Sequence, residues 1–155
     1  MKKRIVALLL SFAMIACTLA GCSPRTPTTI EAFTQTMEAE GFTMVDVTAT
    51  TDTQGLATNV LLAINEDHRY QIELFILADN ETGEGMFTYN KSYYDSEYAA
   101  KSSVTEIFTN NYNYYAFTAG GQFHVVTRID NTLLYCDADS AYKDEIVDLI
   151  EKLGY

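Results

Sequence analysis

Between Tyr112 and Asp137 three runs of strand-like residues are separated by nothing longer than a dipeptide, Gly120-Gly121 after the first and Asp130-Asn131 after the second. A two-residue connection leaves no room for a crossover, so each run must pair antiparallel with the one before it. Both dipeptides tolerate the positive backbone angles that tight hairpins require. The chain is thereby committed to a meander over Tyr112 to Ala119, Gln122 to Ile129 and Thr132 to Asp137, and the other segments must cover its faces or extend its edges.

The first half shows a similar succession. Strands are expected around Thr43 to Ala49, over Thr58 to Ile64 with Val60, Leu62 and Ile64 on one face, and over Tyr70 to Ile76, with Glu66-Asp67-His68 turning between the last two. Thr28 offers an N-cap with Glu31 three residues on, Ile30, Phe33 and Met37 follow at helical spacing, and Gly41-Phe42 supplies a left-handed stop. A second helix is expected from Asp79 with Met86, Tyr89 or Asn90, and Tyr93 on one side, although Gly83 and Gly85 weaken it. The third begins near Ser140, carries the stripe Tyr142, Ile146, Leu149, Ile150 and Leu153, and closes on Gly154-Tyr155. Asp95 to Asn111 is polar around Val104 and Ile107-Phe108 and reads mostly as loop.

These elements predict an α+β fold in the order α-βββ-α-βββ-α, an antiparallel sheet of about six strands with helices on one face, and a two-fold internal repeat. The domain spans 28–155, and a chain of 155 residues suits one core rather than two. Cys17 falls in the apolar leader and Cys22 at its end, so Cys136 is left without a partner and stability must come from packing. Cys136 alternates with Leu134 and reads as a small buried hydrophobe.

Lys2, Lys3 and Arg4 precede an almost wholly apolar run from Ile5 to Ala20, which ends in Leu19-Ala20-Gly21-Cys22. This layout resembles the signal of bacterial lipoproteins, in which residues 1–21 are removed and the Cys22 sulfur carries the lipid, palmitate among its acyl groups. Sixteen apolar residues fall short of the roughly 20 that a spanning helix needs. Residues 22–27 then form a lipidated cysteine and a short tether. Beyond the leader, Thr26-Pro27, Phe33, Met37 and Gly41 resemble the start of a group of small uncharacterised lipoproteins of Gram-positive gut bacteria. Arg128-Ile129-Asp130-Asn131-Thr132, Tyr135, Tyr142-Lys143-Asp144-Glu145 and Leu153-Gly154-Tyr155 resemble their end. The resemblance implies a lipid-anchored protein on the extracytoplasmic face of a cell membrane and no particular activity.

All 21 acidic residues follow the leader, against seven of the ten basic ones. Such a balance repels phosphate backbones, so nucleic acid is not an expected partner. Eleven tyrosines exceed what a core of this size needs and point to recognition of a protein surface, a small molecule or a glycan. Tyr112 and Tyr114 share one side of their strand, opposite Tyr115 and Phe117, so one pair should lie outside the main core. His124 and Arg128 share the strand face opposite Phe123, Val125 and Ile129, and are expected to look outward as part of a binding surface. The alternative for that face is a solvated surface with ordinary cross-strand pairs.

The acids from Asp137 to Glu151 invite a calcium reading. Asp137-Ala138-Asp139-Ser140-Ala141-Tyr142 lacks the fifth-position oxygen and sixth-position glycine of a calcium loop, so helix capping by Asp139 or Ser140 is expected instead, with no metal. No nucleophile elbow, zinc spacing or phosphate-cradling glycine motif is present, and no cofactor is expected. The expected function is a non-catalytic envelope binding module with a protein partner; the alternative is an envelope hydrolase or wall-modifying enzyme that uses carboxylates.

Overall fold

A computed structural model describes residues 24–155, so the leader and Cys22 lie outside the described residues. The elements are α1 (Ile30–Ala39), β1 (Thr43–Asp46), β2 (Ala57–Ile64), β3 (Gln71–Leu77), α2 (Asn80–Glu97), β4 (Ser102–Phe108), β5 (Tyr112–Ala119), β6 (Gln122–Ile129), β7 (Thr132–Asp139), a 3-10 turn (Ser140–Tyr142) and α3 (Lys143–Lys152). One sheet in the order β1-β2-β3-β7-β6-β5-β4 contains every strand, and all neighbours are antiparallel. The α+β class and the antiparallel sheet are as the sequence predicts. No helix among the described residues is long and apolar enough to cross a membrane.

The sheet has seven strands rather than six, because β4 occupies the segment expected as loop. All seven of its residues are exposed, so it carries none of the apolar alternation that marks a half-buried strand. It forms because β5 supplies a partner, with Ile107 opposite Tyr114 and Phe108 opposite Asn113. A register shift between Ser102 and Thr105, where Ser103 has φ 52°, bulges its beginning.

Helices cover both faces rather than one. Phe33 and Met37 of α1 and Ile146, Leu149 and Ile150 of α3 pack against Leu74, Val125 and Leu134. Across the sheet, Phe87 and Tyr94 of α2 pack against Tyr115, Phe117, Val126 and Leu133. Both faces of β5, β6 and β7 bear large apolar side chains, and only a helix on each side removes them all from water, each contributing roughly 1.5–3 kcal/mol. For the same reason neither aromatic pair lies outside the core: Tyr112 and Tyr114 are buried on the α1/α3 face, Tyr115 and Phe117 on the α2 face. α1 leads into the three-stranded meander β1-β2-β3 and α2, on the opposite face, into the four-stranded meander β4-β5-β6-β7, so the second half carries one strand more than the expected order.

Local chemistry sets the helix ends. Thr29 rather than Thr28 caps α1, its hydroxyl accepting from the Ala32 N–H at 3.1 Å, while Thr28 is buried. Gly41 at φ 87° lets the Phe42 N–H reach the Met37 carbonyl at 2.9 Å, and Gly154 at φ 93° does the same for Tyr155 and Ile150. Asp79 caps α2 through the Thr82 N–H at 2.7 Å, as expected. Its buried stripe is Gly83, Phe87 and Tyr94, whereas Tyr89 and Tyr93 are exposed. Gly83 is a close approach rather than a weakness: a Cβ there would lie 2.5 Å from the Asp130 carbonyl oxygen.

Candidate functional site

On the α1/α3 face a groove of about 290 Å³ runs between α3 and the paired strands β4 and β5. Tyr112, Tyr114 and Phe123 form its floor, and Ile107 and Val147 its walls. Two of the four expected binding residues, Tyr112 and Tyr114, are therefore brought together, as the floor of a recess rather than as an exposed patch. Burial pushes the Tyr114 hydroxyl up to about 12, so it stays protonated and can donate to a ligand.

Arg25 and Lys143 also line the groove. The Arg25 guanidinium lies 3.8 Å from the centre of the Tyr112 ring and donates to the Gly154 carbonyl at 2.9 Å. Its backbone is fixed in turn by the Asn111 side-chain amide, which donates to the Arg25 carbonyl at 2.7 Å. Most other cations of the domain are engaged: Lys91 and Lys101 with Asp95, Arg69 with Asp67, Lys152 with Glu40. Among the described residues, Arg25, Lys143 and the buried Arg128 have no carboxylate within 4.0 Å. The two unpaired cations within reach of solvent thus belong to one groove.

His124 and Arg128 are not on an open surface. They are 3 % and 2 % exposed, because α2 lies over the strand face that carries them. Arg128 donates from Nε to Asn113 Oδ1 at 2.8 Å and from a terminal nitrogen to the Asp130 carbonyl at 2.9 Å, tying β5, β6 and the β6–β7 turn together. It is an internal plug, and its charge is neutralised by carbonyl dipoles rather than by an acid.

His124 belongs to a polar cluster that was not expected. Asp137 Oδ1 accepts from the Tyr94 hydroxyl at 2.7 Å and lies 2.7 Å from His124 Nδ1, while the Tyr135 hydroxyl donates to Asp137 Oδ2. A carboxylate is acceptor-only, so the network assigns the proton to Nδ1. The remaining ring nitrogen, Nε2, is buried without a partner among the described residues, and the Phe117 and Tyr98 rings pack over the imidazole with centroids 4.7 and 4.5 Å away. The cluster borders an open pocket of about 380 Å³ lined by His68, Tyr70, Gln71, Glu73, Tyr135 and Asp137. Burial pushes the Glu73 carboxyl above its ordinary range, the hydrogen bond from Gln71 opposes this, and the Asp137 charge adds to it.

A signal for this cluster exists in the chain. The two-residue turn at Asp130-Asn131 pairs Ile129 with Thr132, and counting outward from it places His124 opposite Asp137. Tyr94 carries no such signal, since its meeting with Asp137 depends on where α2 docks. Asp139 instead caps the 3-10 turn, accepting from the Ala141 N–H at 2.9 Å, as capping predicted. Among the described residues no three His, Cys, Asp or Glu side chains are grouped to hold a metal ion.

No protein-family model matches this chain, and no curated protein is similar to it. Among solved structures, a GTP binding regulator from Thermotoga maritima is similar at a TM-score of 0.48 and 11 % identity, over 81 % of this chain and 84 % of that one.

Proposed function

We propose that this chain is a lipoprotein held through Cys22 on the extracytoplasmic face of a cell membrane, and that its domain is a non-catalytic module that binds a protein partner in the envelope. The groove supports this reading: an amphipathic tyrosine floor with two unpaired cations beside it supplies contact area and charge, not a nucleophile with its base. Only Ser23 and Pro24 separate Cys22 from Arg25, so the groove is within about 10 Å of extended chain from the lipidation site. The pocket beside Asp137 lies on the other side of the sheet from the groove, and Asp137 is five residues along β7 from Thr132, roughly 17 Å. Cys22→Ser should move the protein from the membrane fraction to the soluble one; unchanged retention would count against the anchor.

A second reading, an envelope hydrolase working through carboxylates, draws on the raised Glu73 beside Asp137 in an open pocket. Release of new chain ends from purified wall polymer, lost in Glu73→Gln, is the result that would favour it over the binding module.

A further inference from the structure

Among the described residues the sheet ends at β4, which is hydrogen-bonded to β5 on one side and to no strand on the other, so its outer row of backbone donors and acceptors is unpaired there. The opposite edge, β1, has four residues, whereas β4 has seven. Edges are usually protected by Lys, Pro or inward charges. Here the bulge at Ser103 guards only the beginning, and the one charged residue, Glu106, is already 3.6 Å from Lys91. Val104, Ile107 and Phe108 are 51 %, 39 % and 54 % exposed, so an added strand would bury apolar surface as well as complete the ladder.

We propose that β4 accepts an extended segment of a partner protein as an eighth strand, and that this segment carries carboxylates on the side that faces the groove. Side chains alternate along a strand, so every second one would point toward the groove that Ser103, Thr105 and Ile107 of β4 border. In that groove stand Arg25 and Lys143, the accessible cations without an acidic partner among the described residues, in a chain of formal net charge −11. A second copy of the chain is the poorer occupant, because it brings that same negative charge to the seam. Glu151 also borders the groove, so the segment should place its acids at two points and not as a uniform run. The inference deepens the protein-binding reading and is independent of lipid attachment.

The test is selection of a random nonapeptide display library against the full chain in detergent micelles, followed by binding of the enriched peptides and amide hydrogen exchange. Enrichment of proline-poor peptides with two Asp or Glu an even number of positions apart, protecting the amides of 102–108, is expected. Lys143→Glu should weaken binding about tenfold or more, the scale of one close charge pair. Its ammonium makes no hydrogen bond among the described residues, and Arg25→Glu, monitored for folding by circular dichroism, is the second variant. No enrichment, enrichment of basic peptides, protection elsewhere than 102–108, or protection of 102–108 by self-association without peptide would each overturn the proposal. Capture of such peptides by a chain whose Cys22→Ser variant stays on membranes would leave the strand proposal standing and remove the anchor.

Discussion

His124 Nδ1 lies 2.7 Å from Asp137 Oδ1 across the β6–β7 hairpin, and the same carboxylate oxygen receives the hydroxyl of Tyr94 from α2. One acid thus joins two strands to the helix that covers them. Asp137→Ala should lower stability by about 2–4 kcal/mol, since it strands a buried imidazole N–H and a buried phenol at once. Urea denaturation measures this, and a cycle with Tyr94→Phe should show the two losses to be non-additive. An unchanged midpoint would mean that the cluster contributes nothing to holding α2.

Glu73 gives a pH signature. Its carboxyl titrates higher in the folded chain than in the unfolded one, so its contribution to stability is present below the unfolded value and lost as pH rises through the folded value. Glu73→Gln keeps an acceptor for Gln71 and removes that loss. The variant should melt at a higher temperature than wild type at pH 7, with the gap closing as pH falls below about 4. A gap that widens on acidification would contradict the assigned direction.

The two glycines of α2 should respond in opposite senses. A Cβ on Gly83 would lie 2.5 Å from the Asp130 carbonyl oxygen and 3.3 Å from the Asn131 Cα, both backbone, so Gly83→Ala must lift the helix or move the turn and should cost ~1–3 kcal/mol. Nothing lies within 4 Å of a Cβ on Gly85, and Gly85→Ala should stabilise by roughly 0.5–1 kcal/mol through helix propensity. Thermal melts of the pair decide it; equal effects would put α2 in a different position.

Tyr112 and Tyr114 are core and groove together, which changes what their replacement reports. Tyr112→Ala should destabilise by about 3–5 kcal/mol, as large-to-small aromatic changes in a core do. Tyr114→Phe keeps the packing and removes only the hydroxyl, for which the described residues offer no hydrogen-bond partner. Stability near wild type combined with weaker peptide capture would identify that hydroxyl as a ligand contact; unchanged capture would restrict it to the core.

Local chemistry determined the elements. Gly41 and Gly154 stop helices where positive backbone angles are needed, Asp79 and Asp139 cap where expected, and the dipeptides at 120–121 and 130–131 fix the β5-β6-β7 meander with its register. Even the pairing of His124 with Asp137 follows from that register. Each of these depends on residues close in the chain, whose geometry is set by backbone sterics and short hydrogen bonds.

Tertiary contacts decided the rest. Whether His124 and Arg128 face water or a helix depends on which side of the sheet α2 takes, and the sequence shows two apolar faces without saying which helix covers which. β4 exists because β5 offers it an edge, since its own exposed residues carry no burial pattern. The groove joins Arg25, Tyr112 and Lys143, residues far apart in the chain, and only the docking of α3 and the tether against the sheet brings them within reach of one ligand.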